Sequence, residues 1–225
     1  MNKLILAFCL TIILSIFAFA QSSDDFHKGE FSVNFSHNQV DTGINDNAFN
    51  SANSNNNSNG FFSKRQGFNG VEVSGVGNVS RYFGIKGDFS ANYKTYKVDT
   101  PGFTPSQFNV KASLYNVLGG VQIKNNSTDG SRFRPFAHAL AGFANGRTKL
   151  DNSFLSSSFC QQAGVDCSQN SSISRTGFAA AIGGGVDIKA DDRFSIRAIQ
   201  IDYNPTRLGG STQNNVRFGF GVVLH

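Results

Sequence analysis

Residues 84–98 read GIKGDFSANYKTYKV. Ile85, Phe89, Ala91 and Tyr93 fall in one phase, and Lys86, Asp88, Ser90 and Asn92 fall in the other. Strict alternation over this length is the signature of a strand with one apolar and one polar face. The same period recurs along the chain. It runs through residues 29–40 (Phe31, Val33, Phe35), 68–80 (Val71, Val73, Val79), 108–124 (Tyr115, Val117, Val121, Ile123) and 133–148 (Ala137, Ala139, Ala141, Phe143). It continues through 175–189 (Phe178, Ala180, Ile182, Val186, Ile188), 193–205 (Phe194, Ile196, then Ile199, Ile201, Tyr203) and 215–225 (Val216, Phe218, Phe220, Val222, Leu224). Eight strands are therefore expected. The phase slips near Ala198, which predicts a bulge in the seventh.

The connections alternate in length. Residues 41–66, 99–107, 149–174 and 206–214 read as long loops, and 81–83, 125–132 and 190–192 as short turns. A closed up-and-down meander gives this rhythm, with both termini at the short-turn rim. Composition agrees. The 225 residues hold 23 Phe, 24 Gly and no Trp, and only 16% are charged, against roughly 25% in soluble domains. Mean hydropathy is nonetheless −0.23, because Asn and Ser supply the polarity. Glutamate occurs only at positions 30 and 72, which speaks against long amphipathic helices.

Residues 1–20 have a basic start at Lys3, an apolar run to Phe19 and an Ala18-Phe19-Ala20 exit. This is the pattern of a secretory signal cleaved between Ala20 and Gln21, leaving a short segment 21–27 and a barrel over 28–225. Its removal takes one lysine from a formal charge of +5. The remaining basic residues are scattered, with no run that would track phosphates of a nucleic acid. Of three cysteines, Cys9 leaves with the signal. Cys160 and Cys167, in an exported chain, are expected to close a small disulfide loop. No metal-ligand set or cofactor motif accompanies them.

Alternation by itself is compatible with two barrels. A soluble calyx points its apolar face inward, whereas a transmembrane barrel points it at lipid. Aromatics gather at both strand ends, with Tyr82, Phe83, Phe133 and Phe194 beside the short turns and Tyr93, Tyr115, Phe143 and Tyr203 toward the long loops. Two such girdles, no spanning helix and export together favour the all-β, eight-stranded antiparallel transmembrane barrel, with short periplasmic turns and long extracellular loops. The inward phase then carries Glu72, Lys86, Asp88, Asp187, Arg197, Gln200, Asp202 and Arg217. Buried charges must pair, so Asp187 and Asp202 are expected to meet Arg197 and Arg217 as a lumen-filling cluster. The other use of such a cluster is a narrow gated path for ions or a small solute.

Three late motifs carry a family likeness: Gly183-Gly184-Gly185-Val186-Asp187, Arg197-Ala198-Ile199-Gln200-Ile201-Asp202-Tyr203, and Asn214-Asn215-Val216-Arg217. In these the chain resembles the bacterial outer-membrane β-barrel family, with an eight-stranded fold similar to the transmembrane domain of outer-membrane protein A. The resemblance implies residence in the Gram-negative outer membrane, contact with its lipids and insertion by the barrel-assembly machinery. The chain departs from the family's aromatic ending by closing on Val223-Leu224-His225, and no peptidoglycan-binding module is expected after the eighth strand. Barrels of this size also include lipid A deacylases and palmitoyltransferases, which need Ser and His in reach of each other. His27, His37, His138 and His225 do not show the deacylase spacing, so no catalytic residue is expected. Eight Asn within residues 45–59 make loop 41–66 a flexible polar surface and the candidate site for a surface partner.

Overall fold

The computed structural model of the chain describes residues 26–41, 65–99, 107–128, 131–150 and 172–225. The signal cleavage site at Ala20 and Gln21, most of loop 41–66, and the pair Cys160 and Cys167 lie outside the described residues.

Eight strands run β1 (Gly29–Asp41), β2 (Arg65–Asn78), β3 (Phe83–Asp99), β4 (Gln107–Lys124), β5 (Phe133–Leu150), β6 (Ser172–Lys189), β7 (Phe194–Leu208) and β8 (Ser211–Leu224). Each pairs antiparallel with its neighbours in sequence order, and β1 pairs with β8 to close the barrel. The closing register runs from Phe31 opposite Leu224 to Gln39 opposite Val216. Closure leaves no strand edge unpaired, which is the condition for crossing lipid with strands.

The apolar phase faces outward. Val33, Phe89, Phe143, Ile182 and Phe220 are each more than 40% exposed, while the polar residues between them are buried. A soluble calyx would show the reverse. The register of β7 shifts against both β6 and β8 around Arg197–Gln200, so Ile196 and Ile199 both point outward and the strand bends there.

One connection departs from the expected rhythm. Residues 206–214 read as a long loop, but strands β7 and β8 extend to Leu208 and Ser211 and leave only Gly209-Gly210 between them. Polarity misleads here because the inward positions above the membrane are themselves polar. Asn215 Nδ2 donates to Thr206 Oγ1 at 3.1 Å, and Thr206 Oγ1 donates to Gln213 Oε1 at 3.2 Å. Both turn glycines have positive φ, +61° and +88°. This is the type I′ turn, one of the two hairpin turns whose twist matches the strands and the one that requires positive φ at both positions.

A side chain at Gly210 would meet nothing within 4 Å, so the cost of adding one is set by the backbone alone. Gly210→Ala is expected to destabilise the barrel by about 1 kcal/mol, measured by urea unfolding in lipid vesicles. An unchanged midpoint would show that the turn does not need the left-handed conformation.

Candidate functional site

The inward phase of eight strands converges on a bore wide enough only for side chains. At its middle, Arg217 on β8 reaches three carboxylates. Its Nη1 donates to Asp88 Oδ1 on β3 at 2.9 Å, and its Nη2 donates to Asp202 Oδ2 on β7 at 2.7 Å. Its Nε lies 3.4 Å from Glu72 Oε2 on β2. Strand β3 is three strands away from β8 around the barrel, so this guanidinium spans the bore. Gln200 Nε2 ties Glu72 to Asp202, at 3.0 and 2.8 Å. His138 Nε2 sits 2.9 Å from Asp202 Oδ1, and Lys86 Nζ lies 3.4 Å from His138 Nδ1.

A second tier lies toward the short turns. Arg197 donates from Nε and Nη2 to the two oxygens of Asp187, at 2.8 and 3.1 Å, a two-pronged geometry that suits guanidinium and carboxylate. Its Nη1 donates to Gln200 Oε1 at 3.0 Å, joining the two tiers, and its plane lies over the Phe136 ring at 4.3 Å. Lys124 Nζ on β4 bridges Glu30 on β1 and Asp187 on β6, each at 2.9 Å. The structure thus brings together all eight residues singled out from the sequence, every one of them buried. Sequence reasoning missed Glu30, Lys124 and Arg134, equally buried, because they stand beside the short turns where charges are usually solvated. Their inward phase is the signal that could have found them.

The half of the bore toward the long loops is filled differently. Val40, Phe68, Leu114, Leu118, Leu140, Ala144, Ala179 and Ala181 form one buried apolar cluster, with Ala112 and Leu208 against it. Charges therefore hold the turn half of the lumen together, and the loop half combines this apolar cluster with buried polar side chains such as Asn38, Gln66, Asn204, Thr206 and Asn215.

The turn-side opening carries a clasp. Residues 26–28 leave β1, and Phe26 bridges to Ser127 in the β4–β5 turn, with His27 N donating to Asn126 O at 3.0 Å. The His27 ring stacks on the ring of His225 at 4.5 Å. Ser195 Oγ and His225 Nε2 share a hydrogen bond of 2.9 Å, and His225 Nδ1 is 3.8 Å from Glu30 Oε1. Serine, histidine and acid in a row suggest a nucleophile relay, but the geometry argues against one. Ser195 is fully buried, and the Glu30 carboxylate is held at 2.9 Å by Lys124 rather than by the imidazole. Burial pushes the His225 imidazole down to about 4, and burial, with Arg134 nearby, also lowers His27. Both rings are therefore neutral in the clasp at neutral pH.

Two predictions follow from this geometry. Arg217→Met strands Glu72, Asp88 and Asp202 without their shared cation, and is expected to cost about 3–5 kcal/mol in urea unfolding. Adding Asp88→Asn and Asp202→Asn should recover part of that loss; no recovery would mean the carboxylates are not what Arg217 neutralises. For the clasp, the unfolded chain binds protons at the ordinary histidine value of 6.5, above the folded value for His225. Stability is therefore level above neutrality and falls as pH drops from 6.5 toward 4. An NMR titration of the His225 ring should place its midpoint near 4, whereas a midpoint near 6.5 would mean the stack is open.

A model of the outer membrane protein beta-barrel domain matches residues 6–225. Among solved structures the chain is similar to Ail, the attachment invasion locus protein of Yersinia pestis, in complex with the heparin analogue sucrose octasulfate. Identity is 14% over 88% of this chain and 99% of that one, with a TM-score of 0.51. It is also similar to Neisserial surface protein A, at 10% identity over 89% and 99% with a TM-score of 0.49. OprG from Pseudomonas aeruginosa follows, at 10% over 89% and 97% with a TM-score of 0.44. No curated protein matches the sequence. Identities this low speak to fold alone, whereas the family match spans nearly the whole chain and agrees with a closed eight-stranded wall that is apolar outside and charged within: the chain belongs to the outer membrane protein beta-barrel domain family.

Proposed function

We propose that this protein is an integral barrel of the Gram-negative outer membrane whose lumen is closed, and that it acts through its long loops in a structural or surface-interaction role. The observation that carries this reading is Arg217, which joins β8 to β2, β3 and β7 across the bore. A hydrated ion would have to displace a buried cation from three carboxylates, leaving charges unpaired in a low-dielectric interior. The apolar cluster of Phe68, Leu114, Leu118 and Leu140, packed among buried amides such as Asn38 and Asn204, fills further space on the loop side. With the bore filled, recognition passes to the loops, including 41–66 and the loop that holds Cys160 and Cys167. Delivery by a signal cleaved after Ala20 and insertion by the barrel-assembly machinery belong to the same proposal. No catalytic role is proposed.

The apolar cluster within the loop half supports one alternative, uptake of a small apolar solute into that end of the barrel. The ionic tiers beneath it stand in the way of passage. Planar-bilayer recording of the refolded protein tests the closed lumen. No conductance steps are expected, and reproducible unitary steps would overturn the proposal. Gel migration before and after boiling checks separately that the barrel has folded.

A further inference from the structure

The outward face of the loop-side half carries a pattern that the lumen does not explain. Tyr93 on β3, Tyr115 on β4, Phe143 on β5, Phe178 on β6 and Tyr203 on β7 form a continuous aromatic row at the outer girdle, and Tyr93 meets Tyr115 edge to face at 5.7 Å. Four positions further toward the loops, on the same outward phase, stand Lys97, Lys111, Arg147 and Arg207. On β6 the same position holds Ser174. Lys149 stands two positions beyond Arg147, also outward and exposed. The other side of the barrel differs: four positions out from Phe35, Val71 and Phe218 are Gln39, Gly67 and Asn214. Arg65, two positions beyond Gly67 on β2, also faces outward but stands opposite Asp41 in the β1–β2 register, so the cations without an acid opposite form a half-belt over β3–β7.

The half-belt is electrostatically unfavourable as it stands. Lys111 and Lys149 are direct partners in the β4–β5 register, and like charges directly opposite each other destabilise a sheet. Arg147 is the next outward residue on the same strand. No ion pair to Lys97, Lys111, Arg147, Lys149 or Arg207 occurs among the described residues. Asp99, two positions beyond Lys97, is the one acid on β3 at this level. Arg147 Nη2 instead approaches Ser172 Oγ at 3.4 Å, and Ser174 and Thr176 cluster with Asn145, so hydroxyls and amides stand beside the cations. Four residues of strand at a barrel tilt rise roughly 9 Å above the aromatic row. Girdle aromatics sit at the membrane–water interface, so the cations stand on its aqueous side, and their long side chains can reach back to lipid phosphate groups.

We propose that β3–β7 form a docking face for the phosphate groups of a phosphorylated outer-leaflet lipid, seated against Lys111, Arg147 and Lys149. The charges complement, the hydroxyls supply further hydrogen bonds, and the aromatic row below takes the acyl chains. This rests on the membrane reading above, and gel heat-modifiability reports a failure of insertion separately from a failure of lipid binding.

The test uses the full barrel refolded into phosphatidylcholine vesicles of three kinds. One is pure, one contains a bis-phosphorylated disaccharide lipid, and one contains the same lipid with its phosphates removed. Lipid retained per protein, and the temperature at which the folded gel band is lost, are measured for three proteins. They are wild type, the triple Lys111→Gln, Arg147→Gln, Lys149→Gln, and a matched triple at the other rim, Arg81→Gln, Arg132→Gln, Arg193→Gln. Wild type and the turn-rim triple are expected to favour the phosphorylated lipid by on the order of tenfold or more, and the half-belt triple to lose that preference. Equal retention by all three proteins, or no preference for the phosphorylated form, would overturn the proposal. So would binding of a soluble polysulfated sugar by the wild type in pure phosphatidylcholine that the half-belt triple abolishes, because the occupant would then be a soluble polyanion. If the half-belt triple failed to insert, Lys111→Arg with Lys149→Arg, which keeps the charge, should retain the preference; its loss there would equally count against a phosphate site.

Discussion

The pairing of β1 with β8 is the contact on which the rest depends. In hydrocarbon every backbone donor and acceptor needs a partner from the chain itself, and a sheet satisfies this only by closing. The nine paired positions from Phe31 to Gln39 supply that closure. Once they are made, each strand has a lipid side and a bore side. The choice of residue at every position then reduces to which side it faces. The bulge near Ala198 shows how strictly this holds. Where β7 takes an extra residue, its apolar phase shifts with it, so Ile196 and Ile199 both stay on lipid while Arg197 and Gln200 both stay in the bore.

A bore of eight strands is too narrow for bulk water and too wide to leave empty, and the two halves meet that demand by different chemistry. The turn half uses long charged side chains that reach across. Lys124 joins strands three apart around the wall, and so does Arg217. Such pairs contribute little net stability against an apolar replacement, yet each is costly to break from one side. They behave as a register lock, since a strand shifted by one residue would send its charge into lipid. The loop half combines Leu114, Leu118, Leu140 and Phe68, which pack without directional demands, with uncharged polar side chains such as Asn204, Thr206 and Asn215.

This division explains what was legible in the sequence. Charges in the phase opposite an apolar one, such as Lys86 and Asp88 between Ile85 and Phe89, can only be inward, so the ionic cluster could be read from the sequence. The apolar tier could not. Leu114, Leu118 and Leu140 lie inward on strands whose outward phase is also apolar, so alternation vanishes where it is most needed. Glu30 and Lys124 were hidden by their nearness to turns. The Thr206–Asn214 stretch was misread because polar residues above the membrane line the bore of a hairpin as readily as they make a loop. The stack of His27 on His225 joins residues from opposite ends of the chain, and no local pattern anticipates such a contact.

The same bookkeeping of faces applies outside the lumen. Inside the barrel Arg217, Arg197 and Lys124 are each held by at least one carboxylate within 3.0 Å, while Lys86 and Arg134 lean on His138 and the Ser127 carbonyl. On the outward loop-side face Lys111 and Lys149 instead oppose each other across a ladder. Solvent screening alone would tolerate such a pair anywhere on the rim, but the cations do not lie anywhere. They keep a constant four-residue offset from the aromatic row on β3, β4, β5 and β7, give way to Ser174 on β6, and are missing from that offset on β1, β2 and β8, where the rim cation Arg65 faces Asp41. A regularity tied to the girdle and confined to one side is a property of what the wall faces, not of how the wall folds. The interior chemistry makes the barrel a closed support, and the one-sided exterior chemistry gives that support a fixed orientation among the lipids around it.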